Sequence, residues 1–460
     1  MLRLRALAEV QVSIYLILFL STLITYQPTM SSSFVRVSIF FTLFLYLINV
    51  TTVVANVNIS ASDPRVVWIG RHSVEVDGSV IADWSGVEAR VQVANGSQLL
   101  RVYLNAGNPG GQRYAVWVSS TATGYIPTRV SSFWTGGGTT SVDILLGYSL
   151  QYDCTVSIQR TVEPVFADIY SGAQTRFLAF ESDVGFSDIP PPRSSRRIEF
   201  LGDSITACLG NLGSFNAGCW ASPFTQDFSF GYATEICKAF NAECSTLAWS
   251  GISLVERSTG PQYAACPTGY CVLPDFYNYS VPTMIPTRPW NFSSFIPQIV
   301  HINLGTNDQK GNFSNATFSQ LFIDSYVTFI KQIAVSYGAM TPSEAPYFFI
   351  AYGPMSSAYQ SQVQTVANLL NPLGYNITVI DYSIPDYNID PGCEWHPNVA
   401  DHVMMAEIAS SAIQNVTGWK KVGPPPPEIT ETKGETIVGA VSKISIPPEA
   451  LARRANRKEN

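Results

Sequence analysis

Three short segments of the chain carry side chains that can perform acyl transfer. The segment FLGDSIT holds Ser204, the segment INLGTND holds Asn307, and the segment CEWHPN holds His396. A serine hydroxyl becomes a nucleophile when a base removes its proton, and a histidine can act as that base near neutral pH. An asparagine amide can donate a hydrogen bond to the oxyanion of a tetrahedral intermediate. Together the three residue types indicate a serine hydrolase.

Each segment alone has a simpler interpretation. A G-D-S sequence is common in turns, and an asparagine at the end of a strand often only forms a turn. The chain has four histidines, at positions 72, 301, 396 and 402. His396 is the one that lies in a predicted loop flanked by tryptophan and proline. The hydrolase interpretation therefore depends on the three segments occurring together, in an order that one fold can bring to one place.

The elements predicted around these segments alternate between strands and helices. The predicted strands are Ile198–Leu201, Cys244–Trp249, Ile299–Leu304, Tyr347–Tyr352 and Ile377–Tyr382, and the predicted helices are Phe230–Ala239, Phe318–Tyr337 and His402–Thr417. This alternation predicts an α/β domain with a parallel sheet covered by helices on both faces. Ser204 and Asn307 each follow a predicted strand, and α/β sheets place their reactive groups at the carboxyl ends of strands.

The N-terminal half has a different pattern. Short runs of alternating apolar residues recur at 66–69, 89–93, 99–104, 114–118 and 142–146, separated by turns rich in glycine and asparagine. Strands at this spacing predict an all-β sandwich of the jelly-roll kind. The proline-rich stretch Ile189–Arg193 marks a linker. We therefore predict a signal peptide or extension over 1–55, a sandwich over 56–185, a linker over 186–197, a hydrolase domain over 198–418 and a disordered tail over 419–460.

The order of the three segments resembles that of the SGNH hydrolases, also called the GDSL family. Within this family the chain resembles carbohydrate esterase family 2, whose members join an N-terminal β-sandwich to an SGNH domain. The resemblance extends over about residues 64–418 and includes WIGRHSVEVDGSVIADWSG, GDSITA, SGIS, INLGTND and WHPN. It implies a secreted esterase that removes O-acetyl groups from polysaccharides through an acyl-enzyme intermediate, without a metal or another cofactor.

The resemblance also implies a role for each site residue. Ser204 matches the nucleophile and His396 matches the base. The backbone N–H groups of Ser204 and Gly251, together with the Asn307 amide, match the oxyanion hole. Trp395, beside the base, is a candidate for stacking on a sugar ring, although an aromatic that only packs next to the site is equally consistent with the sequence.

The residue that orients the histidine departs from the common pattern. Many SGNH enzymes carry aspartate three residues before the histidine, where this chain has Cys393. Glu394 is the nearest carboxylate in sequence, and Asp390 lies further back. Some family 2 enzymes instead hold the imidazole with a main-chain carbonyl. The resemblance to these dyad enzymes favours the Glu394 carbonyl over its side chain as the group that orients His396.

Two other functions remain open at this stage. An SGNH fold can host a lipase or small-ester hydrolase, with the segment Val255–Pro297 as an ordered loop over the site. Alternatively, the sandwich could bind carbohydrate beside an inactive hydrolase domain, although all four expected site residue types are present. The net charge of −7 argues against a nucleic-acid partner, because phosphate binding needs a basic surface.

Cysteines and glycosylation sequons indicate the secretory route. The eight cysteines occur mostly in close pairs, which predicts the disulfides Cys237–Cys244, Cys266–Cys271 and Cys208–Cys219, with Cys154 and Cys393 left over. Sequons lie at Asn49, Asn58, Asn95, Asn278, Asn291, Asn312, Asn315, Asn376 and Asn415. An apolar run within 37–57 predicts a signal peptide that is cleaved near residue 55. The alternative is a type II membrane anchor through residues 10–26.

Overall fold

The computed structural model describes residues 56–106, 111–120, 127–146, 152–163, 175–255, 272–281, 287–384, 387 and 389–422. The predicted signal peptide and anchor, the Cys266–Cys271 pair and most of the predicted tail lie outside these ranges. Within these ranges, no helix is both long and apolar enough to cross a membrane.

The N-terminal half forms two antiparallel sheets. The first contains β1 (Val57–Ser60), β3 (Ser73–Val74), β4 (Val80–Ile81), β6 (Leu99–Ala106), β9 (Ser141–Leu145) and β11 (Thr175–Ser182). The second contains β2 (Val67–Ile69), β5 (Glu88–Val93), β7 (Gln112–Ser120), β8 (Thr128–Thr135) and β10 (Cys154–Arg160). Their orders are β3-β4-β11-β6-β9, with β1 also paired to β11, and β2-β5-β10-β7-β8.

The two sheets enclose one apolar core. Val91 of β5, Val102 of β6 and Val156 of β10 are among its buried residues, and each lies in a strand with alternating inward and outward side chains. Apolar area removed from water contributes about 25 cal/mol per Å², so closing the two sheets on each other stabilises both. The predicted all-β sandwich is confirmed.

The C-terminal half is an α/β structure. Its parallel sheet has the order β13-β12-β16-β17-β18, with β12 (Arg197–Gly202), β13 (Glu243–Ala248), β16 (Ile299–Asn303), β17 (Tyr347–Tyr352) and β18 (Ile377–Asp381). Its helices are α1 (Ser204–Ala207), α2 (Tyr232–Phe240), α3 (Leu273–Phe276), α4 (Ala316–Ser336), α5 (Gln360–Leu370) and α6 (Val399–Thr417). A separate ribbon pairs β14 (Tyr279–Val281) with β15 (Arg288–Pro289).

Helices cover both faces of this sheet, as the alternation predicts. Leu201 and Ile302 point to a core shared with α4 and α5. Phe200 and Phe349 point to the opposite core, which α2 and α6 complete. Neighbouring residues of one strand thus serve different cores, which explains why the strand sequences read as continuous apolar runs.

The strand order places a crevice at one position in the sheet. β12 lies between β13 and β16, so the chain leaves β12 toward one side first and toward the other side later. In sheets of this order, ligands bind outside the carboxyl ends of the strands at the point where the direction reverses. Ser204 follows β12 and Asn307 follows β16, so the topology brings both residues to this crevice.

The sandwich packs closely against the C-terminal α/β half, and the two belong to one compact unit. Arg71 of the sandwich forms a fully buried ion pair with Glu199 of β12, with an N–O distance of 3.1 Å. Trp84 stacks on Trp249 at 5.1 Å between ring centroids. In its described part, the predicted loop Val255–Pro297 contains α3, β14 and β15. Tyr277 from this segment donates a hydrogen bond to Glu199 at 2.9 Å.

Candidate active site

Ser204 lies at a sharp turn between β12 and α1. Gly202 closes the strand, and a Cβ atom there would lie 2.0 Å from Thr206 Oγ1. Only glycine therefore lets the end of β12 lie this close to the Thr206 side chain. Asp203 caps the helix by accepting a hydrogen bond from the Ile205 N–H at 2.9 Å. The Ser204 side chain is mostly buried, with 5% of the residue exposed.

His396 meets Ser204 directly. Its Nε2 lies 2.7 Å from Ser204 Oγ, and its Nδ1 lies 3.2 Å from the carbonyl oxygen of Cys393. A carbonyl can only accept, so Nδ1 carries the proton of the neutral ring and Nε2 is free to accept from the hydroxyl. This is the tautomer that a base for Ser204 requires.

The surroundings keep this imidazole neutral. Burial lowers the pKa of His396 below its ordinary value of 6.5, because the charged ring would lose its hydration. The hydrogen bond to the Cys393 carbonyl opposes this shift, and Glu394 opposes it less strongly. Burial dominates, so the ring stays in its basic form at neutral pH.

The hydrogen-bonded carbonyl belongs to a different residue from the one predicted. We expected the carbonyl of Glu394, whereas Nδ1 bonds to that of Cys393. The Glu394 carboxylate accepts from the Ala221 N–H at 3.1 Å, and Asp390 accepts from Ser214 Oγ at 2.7 Å. Among the described residues, neither carboxylate forms a hydrogen bond with the imidazole. The arrangement is a Ser–His pair with a backbone acceptor.

Gly251 and Asn307 follow the two strands that neighbour β12, the strand that precedes Ser204. Gly251 follows β13 and has φ of +77°, a conformation that side-chain-bearing residues rarely adopt. The Asn307 side chain donates to the carbonyl of Ile252 at 2.8 Å, so it lies against the Gly251 loop. Gly251, Ser204 and Asn307 thus follow the three adjacent strands β13, β12 and β16.

Two acidic residues that the sequence analysis did not identify hold the Gly251 loop. Asp308 accepts from the N–H groups of Leu254 and Val255 at 3.0 and 2.8 Å. Glu163, from the sandwich, accepts from Ser250 Oγ at 2.7 Å and from the Ser250 N–H. Burial raises the pKa of Glu163 to about 7. Asp308 could have been suspected because it adjoins Asn307, whereas no local signal marks Glu163.

Trp395 is partly packed and partly open to solvent. Its ring lies 4.1 Å from that of Phe215 between centroids, and 46% of the residue is exposed. Its carbonyl accepts a hydrogen bond from Tyr387 Oη. Both interpretations of this residue, packing and sugar stacking, are compatible with this position.

Two of the other three histidines, His301 and His402, have structural partners. His301 is fully buried and bonds to Tyr382 Oη at 2.7 Å, while His402 accepts from the Tyr232 N–H at 3.4 Å. Burial lowers the pKa of each to about 3. In the described part of the chain, no group of three histidine, cysteine or acidic side chains could hold a metal ion.

The disulfide predictions have mixed outcomes. The Cys237–Cys244 bond is confirmed. The predicted Cys208–Cys219 bond is wrong, because Cys208 ends α1 with its thiol in the α2 core and Cys219 pairs with Cys393. Cys154 is a buried thiol.

Comparison with known proteins relates the chain that carries this Ser–His pair to esterases and acylhydrolases. Residues 198–409 match the model of the GDSL-like lipase/acylhydrolase family. This part of the chain is therefore similar to a GDSL-like lipase/acylhydrolase domain. The chain is similar to cellulase/esterase CelE of Acetivibrio thermocellus, with 31% identity over 252 residues, 54% of this chain and 29% of CelE. It is also similar to an acetylxylan esterase/glucomannan deacetylase of Cellvibrio japonicus, with 27% identity over 253 residues, 53% of this chain and 66% of that protein.

Solved structures share the whole arrangement of sandwich and GDSL domain. A family two carbohydrate esterase from Clostridium thermocellum, in complex with cellohexaose, has a TM-score of 0.61 at 24% identity and covers 77% of this chain and 99% of its own. The acetyl xylan esterase Est2A from Butyrivibrio proteoclasticus has a TM-score of 0.63 at 16% identity, covering 79% and 99%. The match to the full length of both chains shows that the fold is that of these esterases. The two curated relatives are matched over less than two thirds of their length.

The backbone acceptor at His396 predicts how two variants will behave. Glu394→Gln should keep kcat/KM on p-nitrophenyl acetate within about threefold, because glutamine still offers an oxygen to the Ala221 N–H and the imidazole loses no partner. His396→Ala should lower kcat by about 10⁴-fold or more, since the base acts as a unit with the nucleophile. A loss near 10⁴-fold in Glu394→Gln, as for a triad aspartate, would show that the carboxylate orients the base.

Proposed function

We propose that the chain is a secreted serine esterase that removes O-acetyl groups from polysaccharides. The observation that carries this proposal is the 2.7 Å hydrogen bond between Ser204 Oγ and His396 Nε2, in a crevice flanked by Gly251 and Asn307. The relatives support the substrate class, because two are named for acetylxylan and glucomannan and one structure holds cellohexaose.

The first half of the reaction transfers the acetyl group to the enzyme. His396 Nε2 takes the proton of Ser204 as Oγ attacks the acetyl carbonyl carbon, whose π electrons move to the oxygen. When this tetrahedral oxyanion collapses, the bond to the sugar oxygen breaks. The proton held on Nε2 passes to that oxygen, so the sugar leaves as an alcohol and Ser204 carries the acetyl ester.

The second half releases acetate by the same steps with water. His396 Nε2 removes a proton from water, and the hydroxide oxygen attacks the acetyl carbon. Collapse of the second oxyanion breaks the bond to Ser204 Oγ, which recovers the proton from Nε2. The acetyl group departs as acetic acid, which gives its proton to water and becomes acetate, and the site returns to its starting state. No step requires a metal or a cofactor.

The oxyanion would form between the three strand ends. The backbone N–H groups of Ser204 and Gly251 and the second amide hydrogen of Asn307 are its proposed donors. Because the first Asn307 hydrogen is held by the Ile252 carbonyl at 2.8 Å, the amide orientation is set before substrate arrives. Each such donor contributes about 3–4 kcal/mol of transition-state stabilisation.

The exposed part of Trp395 would support the sugar. A pyranose presents an apolar face of C–H groups, and an exposed aromatic ring beside the base offers a matching surface. Packing on Phe215 holds the ring, which reduces the entropy lost when a sugar stacks on it.

The proposed protein has two domains, the sandwich over 56–185 and the hydrolase domain over 198–418.

Secretion is supported by the cysteines. Cys219–Cys393 and Cys237–Cys244 are disulfides, which form and persist in oxidising compartments. The sequons and the apolar N-terminal run of the sequence agree with this route.

The proposal predicts acetate release that depends on Ser204. Wild-type protein should release acetate from acetyl-xylan or acetyl-glucomannan, and Ser204→Ala should lower the rate by several orders of magnitude while retaining the fold. A long-chain ester is assayed beside these acetylated polysaccharides. Faster cleavage of that ester would indicate a lipase, and sugar binding without any ester turnover would indicate an inactive binding protein. Retention of more than about a tenth of the activity in Ser204→Ala would refute the nucleophile assignment.

The lowered pKa of His396 predicts the pH profile. Only the neutral ring can accept the Ser204 proton, so kcat/KM must fall as the pH drops through the pKa of His396. Burial lowers that pKa, so the midpoint of the acid limb should lie below pH 6.5. Burial also raises the pKa values of Glu163 and Asp203 to about 7. These two carboxyl groups are thus the alternative source of an acid limb. If His396 is the source, the limb should keep its position in Glu163→Gln and Asp203→Asn. A midpoint above 6.5 that moves with either variant would contradict the assignment to His396.

A further inference from the structure

We propose that the Cys219–Cys393 disulfide is a positioning element for the catalytic base, and that opening it disables turnover without preventing substrate binding. In a Ser–His–Asp triad, the carboxylate is the acceptor that orients the second ring nitrogen. In this chain the disulfide would have that role by fixing the position of the carbonyl acceptor. The inference rests on the proposed esterase function, because its readout is the rate of ester turnover.

One residue joins the disulfide to the imidazole. Cys393 accepts from His396 Nδ1 with its carbonyl oxygen at 3.2 Å, while its Sγ is bonded to Cys219. The same carbonyl also accepts from the His396 N–H at 3.1 Å. A movement of Cys393 would therefore displace both the ring and the backbone of His396.

The backbone between tether and base is conformationally unfavourable. Glu394 has φ of +53° and Trp395 has φ of +65°, so two consecutive residues with side chains occupy the left-handed region. Such conformations persist only where the surroundings hold them in place. The disulfide holds the turn at Cys393, and the hydrogen bond from Tyr387 Oη holds it at Trp395.

The partner segment is shaped to receive the bridge. A Cβ atom on Gly213 would lie 2.1 Å from Cys393 Sγ and 2.5 Å from Cys219 Sγ, so glycine is needed there for the bond to fit. The Gly210 carbonyl accepts from the Cys393 N–H at 3.0 Å. The side-chain hydrogen bonds that also join the two segments, from Ser214 and Asn216, are at least partly exposed to water. Water competes for such bonds, whereas the disulfide adds a covalent constraint to the backbone hydrogen bonds from Cys393 to Gly210 and from Phe215 to Pro391.

The chain contains a matched control. Cys237–Cys244 closes a short connection between α2 and β13, with a sequence separation of 7, and neither cysteine contacts a proposed site residue among the described hydrogen bonds. The test compares Cys219→Ser/Cys393→Ser with Cys237→Ser/Cys244→Ser. Serine at 393 retains the backbone carbonyl, so the first variant removes the tether and not the acceptor.

We expect the first variant to lose about 10²-fold in kcat on p-nitrophenyl acetate, because a displacement of about 1 Å in a reacting group has a cost of this size. Its KM should stay within about twofold, and the control variant should keep its kcat. Equal kcat values for the two variants, or a loss confined to KM, would overturn the proposal.

A second measurement covers the case in which the double variant does not fold. The Cys237→Ser/Cys244→Ser protein is folded first and then treated with dithiothreitol, which is oxidised to its cyclic disulfide as Cys219 and Cys393 become thiols. Alkylation and peptide mapping give the fraction of Cys219–Cys393 that is opened, and they report separately on Cys266 and Cys271, for which the sequence predicts a second disulfide. Turnover should fall in proportion to that fraction and return on reoxidation, whereas full turnover with the bond open would refute the proposal.

A fluorophosphonate that labels Ser204 separates this proposal from the proposed function. Its reaction needs the base but no acetylated sugar, so the labelling rate should fall with opening of the disulfide. Wild-type protein that labels rapidly but cleaves no ester would refute the esterase, and slower labelling of the opened protein would still support the positioning role. Labelling at one rate in open and closed protein would refute the positioning role alone.

Discussion

The hydrogen bond between Ser204 and His396 sets the demand that the rest of the structure meets. It joins residues 192 positions apart at 2.7 Å, and a shift of about 1 Å would remove its value for proton transfer. Ser204 is held by the turn after β12, where Gly202 and Asp203 leave little freedom. His396 lies far beyond the last strand, β18, and depends on the turn that begins at Cys393.

The sandwich belongs to the same system. Its Glu163 binds Ser250, one residue before Gly251, while Asp308 of the hydrolase half binds the other end of that loop at Leu254 and Val255. The loop that carries Gly251, the proposed oxyanion donor, is thus held from two sides, and one of them is the sandwich. The buried ion pair Arg71–Glu199 fixes the sandwich to β12, the strand that precedes Ser204, so the two halves of the protein are constrained together.

Local patterns predicted what local chemistry determines. The apolar run Ile299–Leu304 matches β16 at Ile299–Asn303. Ser204 and Asn307 could be chosen as candidates because each follows a predicted strand, and parallel sheets place reactive groups at the carboxyl ends of their strands. The partner of Cys219 was mistaken because spacing favoured Cys208, whereas the bond closes a loop with a separation of 174 residues. Glu163 was missed for the same reason, since a contact between distant segments leaves no periodic trace in either one.

Ser204 is proposed to carry the acetyl group between the two halves of the reaction. Protein mixed briefly with an acetylated oligosaccharide and quenched in acid can be digested and analysed by mass spectrometry. The peptide containing Ser204 should gain the mass of one acetyl group, and the gain should disappear once substrate is exhausted. Acetate release with no acetylated Ser204 peptide at any time, even in protein slowed by low pH, would contradict this role of Ser204.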